Sequence, residues 1–303
     1  MIFPSSINKG STIGLVSPAG KIDPGLADKL VRLLESKGYR CRFSPNALGA
    51  YHQFSATDGQ RLSDLQQLLD DEEVDAILCL RGGYGAIRLL GELDLNNVQK
   101  KPKWLVGFSD ITVLHALLQG HGGMVSLHGP MAKHIVEAEN NRADIGAFWQ
   151  FLEGDWPEYV FPTHSMNRLG NATGRLVGGN LSLLYALRGT PYDIVSEGDV
   201  LFVEDLNEYL YHLDRMMRNL KLGGILARLS ALVVGQFTDM KDNATPFGAS
   251  AYEIVYDAVK EYGYPVIFGF PAGHSEPNYP LPLGANVSIG VMHDQTRLIF
   301  HHG

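Results

Sequence analysis

Apolar residues follow two rhythms along the first half of the chain. Thr12-Ile13-Gly14-Leu15-Val16, Cys41-Arg42-Phe43, Ala76-Ile77-Leu78-Cys79-Leu80 and Trp104-Leu105-Val106 are short runs that read as buried strands. Between them, Leu26, Leu30, Val31, Leu33 and Leu34, and then Leu62, Leu65, Leu68 and Leu69, recur at helical spacing. Asp23-Pro24 supplies a capping side chain and a proline at the first helical position, and Gly38 closes that helix. Ile111 to Gln119 is expected as an amphipathic helix, and Ala143 to Leu152 as another. Strand and helix alternate, so the sheet should be mostly parallel with helices on both faces.

The second half is less regular. Gly174 to Asn180 leads into a helix over Leu181 to Leu187, and Val200-Leu201-Phe202-Val203 is an apolar strand ending in Glu204-Asp205. Pro265 to His274 is expected as a strand delivering a histidine at a glycine turn, and Val287–Val291 with Leu298–His301 as a closing hairpin. Glu153 to Asn171 lacks a long periodic pattern and carries Gly154, Pro157, Pro162 and Gly170. The expected organisation is therefore an N-terminal domain over 1–153, a linker over 154–172 and a smaller C-terminal domain over 173–303.

Composition narrows the partners. The chain has 303 residues, 45% of them hydrophobic, enough for a sizeable core and in favour of two domains. Its 25 Lys+Arg against 33 Asp+Glu leave a net charge of −8, with no basic stripe to hold nucleic acid or anionic lipid. No apolar run is long enough to span a bilayer and no leader pattern opens the chain, so a cytoplasmic protein without membrane insertion is expected. The two cysteines, Cys41 and Cys79, read as free thiols in strands. Despite 11 histidines there is no His-Glu-x-x-His or comparable ligand set, so neither a metal nor another cofactor is expected.

Candidate chemistry gathers where predicted strands end. Gly107-Phe108-Ser109-Asp110 turns a strand into a helix, which would expose the Ser109 hydroxyl at the C-terminal edge of a sheet with the Asp110 amide beside it. The same turn is also compatible with Ser109 or Asp110 acting only as a helix cap. Arg81-Gly82-Gly83-Tyr84-Gly85 is a second unusual turn on that edge, without the spacing of a dinucleotide or Walker loop. Glu204 and His274 follow Ser109 in chain order, as an acid and an imidazole able to activate a serine would. Asp205, Asp110 or Glu208 could replace Glu204 as the acid, and His128 closes another strand. The residues thus reach a possible serine hydrolase.

Leu15-Val16-Ser17-Pro18-Ala19-Gly20, Arg81-Gly82-Gly83-Tyr84-Gly85, Gly107-Phe108-Ser109-Asp110, Gly178-Gly179-Asn180, Val203-Glu204-Asp205 and Gly273-His274 together resemble the LD-carboxypeptidase family of serine peptidases, which trim murein peptides. The resemblance implies an α/β protein: an N-terminal Rossmann-like parallel sheet and a smaller C-terminal mixed domain, with the active site at their interface. It implies Ser109 as nucleophile, His274 as general base and acid, Glu204 as its orienting carboxylate, and the amides of Asp110 and Gly83 as the oxyanion hole. A murein tetrapeptide losing its terminal D-alanine is the implied substrate, and a homodimer the implied assembly. A related branch cleaves peptidyl-nucleotide antibiotics; Arg188 stands where that branch would place an aromatic, while Tyr185 and Tyr192 keep the alternative open. A non-catalytic peptide- or nucleotide-binding protein is the rival of another class. A free C-terminal carboxylate needs cations, for which Arg81, Arg175 and Arg188 are the candidates, with Asn180 beside the last two.

Overall fold

The computed structural model describes residues 1–138 and 142–302. In chain order its principal elements are β1 Thr12–Val16, α1 Pro24–Ser36, β2 Arg40–Phe43, α2 Asp58–Asp70, β3 Ala76–Cys79, α3 Asn96–Lys100, β4 Trp104–Gly107, α4 Thr112–Leu117, β5 Ser126–His128, α5 Ala132–Glu137 and α6 Ala143–Glu153. There follow β6 Tyr159–Pro162, β7 Gly170–Asn180, α7 Leu181–Ala186, β8 Val200–Leu206, α8 Leu210–Leu222, β9 Ala231–Thr238, α9 Ala251–Val259, β10 Val266–Ile267, β11 Leu281–Leu283, β12 Asn286–Val291 and β13 Gln295–His301. Two compact units emerge: Met1–Trp156 with Tyr279–Gly284, and Pro157–Asn278 with Ala285–His302.

The first unit holds a sheet of order β11-β5-β4-β3-β1-β2. Strands β1 to β5 run parallel, and β11 lies antiparallel on β5. Every residue of β1, β3 and β4 is buried, which is why they read as unbroken apolar runs rather than alternating ones. Asp23 caps α1, its carboxylate accepting the Leu26 N–H at 2.9 Å, and Thr57 with Gln60 forms a capping box at the start of α2. Helix α4 differs from its expected form. It is short and all six of its residues are buried, so it is not amphipathic. Leu114 and Leu117 pack among Leu65, Leu69, Leu93, Leu95 and Leu105, leaving no face for solvent.

In a parallel sheet all the loops that follow strands leave one edge, and here they are stitched to one another. Asp64, buried on α2, accepts the Ser44 hydroxyl at 2.9 Å and the Asn46 amide N–H groups of backbone and side chain at 2.8 Å each, anchoring the loop after β2. That loop meets the one after β1 through Ser17 Oγ donating to Ala47 O (2.7 Å) and Ser55 Oγ donating to Ser17 O (2.6 Å). Gly20 in turn donates its N–H to Gly82 O at 2.9 Å, reaching the glycine loop after β3. A chain of loops therefore runs from α2 to the turn that carries Ser109.

The second unit holds a sheet of order β10-β9-β8-β7-β12-β13-β6. Strands β7 to β10 are parallel, whereas β12, β13 and β6 add on antiparallel. The closing hairpin is β12 and β13. The stretch 154–172, expected as a linker, contains β6 and the start of β7. Its signal is weak because β6 is an edge strand that pairs with β13 and ends in Pro162, which has no N–H to donate. The stretch Pro265 to His274 is likewise not one strand. Only Val266–Ile267 pair regularly, and beyond Gly269 (φ 71°) the chain follows β9 irregularly, with Phe270 N–H on Val234 O and Gln236 N–H on Ala272 O.

Asp64→Ala removes three hydrogen bonds and leaves the Asn46 N–H without this acceptor, so it should lower unfolding free energy in urea by about 2–4 kcal/mol.

Candidate active site

Ser109 sits at φ 64°, one of four non-glycine residues in the left-handed region among the described residues. A cap would be extended, and the residue before the 3-10 turn Ser109–Ile111 is Phe108, which makes no side-chain cap bond. The backbone is that of a tight strand-to-helix elbow rather than of a cap. It depends on close approach at two glycines. A Cβ on Gly107 would lie 2.9 Å from Ile111 Cγ1 and 3.1 Å from Cys79 Cβ, and one on Gly82 would lie 3.1 Å from Ser109 Cβ and 3.3 Å from its Oγ. Hence Gly82, not singled out in the sequence, is the glycine that faces the serine; Gly83 follows at φ 104° and is exposed.

Two buried side chains hold this elbow. The His115 Nε2–H donates to Gly107 O at 2.9 Å, and because a carbonyl only accepts, Nδ1 is left to accept the Ser126 hydroxyl at 2.8 Å. Burial pushes the His115 pKa down to about 4, so the ring is neutral at physiological pH. The Asp110 carboxylate accepts the Ala86 N–H at 2.7 Å, and the Gly85 amide lies near enough to favour its charged form. Burial raises its pKa to about 6 in spite of those donors and the nearby Arg61 charge. Neither role was legible in the motif, although a histidine inside an all-apolar helix was a signal. His128 is fully buried beside the Phe108 ring, where a structural part suits it.

In the second unit the His274 Nδ1–H donates to Glu204 Oε2 at 2.7 Å, Glu204 being fully buried and the His274 side chain 15% exposed. This bond fixes the tautomer and leaves Nε2 as the basic nitrogen of the neutral ring. Burial alone would lower the His274 pKa, but the hydrogen bond it donates to Glu204 and the charges of Glu204 and Asp205 outweigh it, and the net shift is upward. Gly273 is needed twice over, by its φ of 119° and because a Cβ there would lie 2.8 Å from Glu204 Oε2. The other acids are occupied. Asp205 accepts the Asn180 Nδ2–H and the N–H groups of Ser182 and Leu206, all at 2.9 Å, and burial followed by the neighbouring Glu204 charge pushes it up to about 7. Glu208 is bonded to His212 at 2.5 Å.

The cation candidates separate cleanly. Arg175 grips Asp199 with two bonds (3.1 and 2.9 Å) and Ile194 O with a third. It lies five positions before Asn180 on β7, whose end pairs with Glu204, so about 16 Å of strand separates it from that edge. Arg188 is paired with Asp193. Asn180 is a helix cap: its Oδ1 accepts the Leu183 N–H at the start of α7 while its Nδ2 ties down Asp205. Arg175, Arg188 and Asn180, expected to serve substrate, thus each have a partner within their own unit. Arg81 is exposed beside the glycine loop and donates one N–H to Lys21 O at 2.7 Å.

Known proteins are similar to this chain in sequence and fold. Residues 13–129 match the model of the LD-carboxypeptidase N-terminal domain and residues 173–289 that of the LD-carboxypeptidase C-terminal domain. A probable murein peptide carboxypeptidase of Bacillus subtilis is 33% identical over 290 residues, covering 94% of this chain and 91% of the relative. The murein tetrapeptide carboxypeptidase of Pseudomonas aeruginosa is 31% identical over 284 residues, with 90% and 91% covered. The crystal structure of muramoyltetrapeptide carboxypeptidase from Oxalobacter formigenes superposes with a TM-score of 0.86 at 28% identity, over 96% of this chain and 99% of that one. The microcin C7 self-immunity protein MccF in complex with aspartyl sulfamoyl adenosine shares the fold (TM-score 0.88, 22% identity, 100% and 99% covered). The chain belongs to the LD-carboxypeptidase family and is a peptidase. No helix among the described residues is long and apolar enough to cross a membrane.

The His274–Glu204 pair makes a titration prediction. Because the folded protein favours charged His274, the pair's contribution to stability is complete below the ordinary imidazole value of 6.5 and is lost as pH rises through the higher folded value. In Glu204→Gln the supporting charge is gone and burial acts with less opposition, so the His274 pKa followed by NMR should fall; an unchanged value would mean that Glu204 does not control it.

Proposed function

We propose that this protein is a serine-type LD-carboxypeptidase that releases the terminal D-alanine of murein tetrapeptides in the cytoplasm, as part of peptidoglycan recycling. The observation that carries the reading is the φ of 64° at Ser109, a strained position that a structural serine has no reason to occupy, on an elbow beside a glycine loop. Membership of the family and the oriented His274–Glu204 pair support it.

In this mechanism the Ser109 hydroxyl loses its proton to His274 Nε2 as Oγ attacks the carbonyl of the L-centred residue before D-alanine. The amide N–H groups of Asp110 and of the glycine loop, with Gly83 foremost, stabilise the oxyanion, and the imidazolium returns the proton to the departing amine. Water then attacks the acyl-enzyme, giving its proton to His274, and Ser109 leaves. Glu204 holds the imidazole in the reactive tautomer and supports its charge. Arg81 is the remaining candidate for the terminal carboxylate, since Arg175 and Arg188 are engaged by Asp199 and Asp193. The protein is proposed to work without a metal or cofactor, and as a homodimer.

Mass analysis of products from a tetrapeptide ending in D-alanine tests the reaction: free D-alanine and the tripeptide are expected. The C-terminal amide should react at least about tenfold more slowly, because it forfeits the charge-assisted hydrogen bonds between a carboxylate and a cation, worth about 1.5–3 kcal/mol. Equal rates on acid and amide would overturn the carboxypeptidase reading, and faster cleavage of a peptidyl-nucleotide would move the protein to that substrate class. Ser109→Ala should lower kcat by about 10⁴ to 10⁶ while the protein stays folded, with His274→Ala similar and Glu204→Gln milder. The acid limb of the kcat/KM profile should lie above the ordinary histidine value, since His274 must be neutral to accept a proton and its pKa is raised.

A further inference from the structure

The glycine loop carries two of the features the proposed chemistry needs, yet nothing in its own sequence holds it still. Gly82 lies against Ser109, so any movement of the loop moves its amides relative to the serine oxygen. At its front end the loop is fixed by the Gly20 N–H on Gly82 O (2.9 Å). Its far end is held from two sides by buried ionic groups. From the elbow comes Asp110, 1% exposed, whose carboxylate accepts the Ala86 N–H at 2.7 Å. From α2 comes Arg61, 0% exposed, whose Nη1 donates to Gly85 O at 3.0 Å and to Pro18 O in the loop after β1, while its Nη2 pairs with Asp58.

A fully buried arginine is uncommon unless charge and hydrogen bonds compensate it. Arg61 meets backbone carbonyls on two loops of the same sheet edge, and its guanidinium also lies 4.9 Å from the Phe54 ring centre. It occupies the first position of the α2 stripe that continues with Leu65 and Leu68, where an apolar residue would otherwise pack. Gly85 is fitted to it: a Cβ there would lie 2.9 Å from Arg61 Nη1. The Gly85–Ala86 peptide is thus gripped at its N–H, that of Ala86, by an anion and at its C=O, that of Gly85, by a cation.

We propose that the Asp110 carboxylate and the Arg61 guanidinium are positioning groups for the reaction, clamping the Gly85 peptide so that the amides of the glycine loop stay aimed at the oxyanion formed on attack by Ser109. The Asp110 backbone N–H and the Asp110 side chain then have separate tasks: the first is a donor to the oxyanion, the second makes the elbow and the loop one rigid piece. This rests on the proposed serine mechanism and adds to it two residues that touch neither substrate nor the reacting atoms.

Because Asp110→Ala keeps the backbone amide, it tests the side chain alone. The full-length protein and its variants are treated with an alkyl fluorophosphonate, in which Ser109 Oγ forms a bond to phosphorus, fluoride leaves, and the serine proton passes to the base. Steady-state kcat and KM are measured on the tetrapeptide in parallel. Labelling of the unaltered protein at Ser109 is expected. In Asp110→Ala the labelling rate and kcat should both fall about 100-fold, the scale of a misaligned oxyanion donor, with KM within about threefold of the original. Asp110→Asn, which retains an oxygen for the Ala86 N–H, should stay within about tenfold, and Arg61→Lys, remote in sequence from the elbow, should reproduce the loss in kcat without the loss in KM. Should Asp110→Ala not fold, the last two variants decide the matter by the same readouts. Undiminished labelling and kcat in Asp110→Ala or Arg61→Lys, or a change confined to KM, overturns the clamp while leaving the serine reading intact. Absence of label on Ser109 in the unaltered protein overturns the serine reading, and the clamp with it.

Discussion

A side chain at φ 64° costs on the order of 1–3 kcal/mol and persists only where its surroundings leave the backbone no alternative. Around Ser109 those surroundings are specific. Gly107 lacks the Cβ that would separate β4 from Ile111 and Cys79, and Gly82 lacks the one that would push the glycine loop away. His115 holds Gly107 O from beneath, and a fully buried β4 prevents the turn from relaxing by slipping its register. The strain is therefore absorbed by the sheet and its loops rather than by the turn itself. That is why the network from Asp64 through Ser17, Gly20 and Gly82 matters to a residue that only its last member approaches.

The two motif pairs divide their labour in the same way. In Ser109-Asp110 and in Glu204-Asp205 the first residue is the one with proposed chemistry, and the second turns its carboxylate onto a neighbouring element. Asp110 binds Ala86; Asp205 binds Ser182 and Asn180 at the start of α7. Both second carboxylates are buried and have raised pKa values, to about 6 and about 7, with desolvation the leading cause in each. Charge buried for a structural purpose thus lies next to the groups of proposed chemistry. In the second pair it acts on them as well, since the Asp205 charge adds to that of Glu204 in holding His274 protonated to higher pH.

Proximity in sequence was a poor guide to the cations. Arg175 stands a few residues from Asn180, but β7 is extended, and at about 3.3 Å per residue those few positions carry it back to the middle of the strand, level with the start of β8 and beside Asp199. Arg188 is captured by Asp193, five positions further along the chain. In a protein with more acids than bases, local carboxylates claim arginines early. Arg81 escapes this because the loop around it is glycine-rich, and it spends one N–H on the Lys21 carbonyl.

The alternation of buried strands and apolar-striped helices, the elbow, the glycine loop and the acid and histidine at their turns were legible in the sequence, because each is set by residues within a few positions of one another. Hydrophobic period, capping type and glycine placement are local constraints, and α1, α2 and the β12–β13 hairpin follow from them. What the tertiary structure decided depends on partners distant in the chain. It joined Glu204 to His274 rather than Asp205 or Glu208, bent the Pro265–His274 run along β9, and made β6 an edge strand where a linker was expected. It also gave Arg61 and His115 their buried tasks, with acceptors at Gly85 and Gly107 that sequence periodicity does not encode. A hydrogen bond between residues far apart in sequence forms only once the sheet has fixed their distance, so the pairing of buried polar groups belongs to the fold and not to the motif.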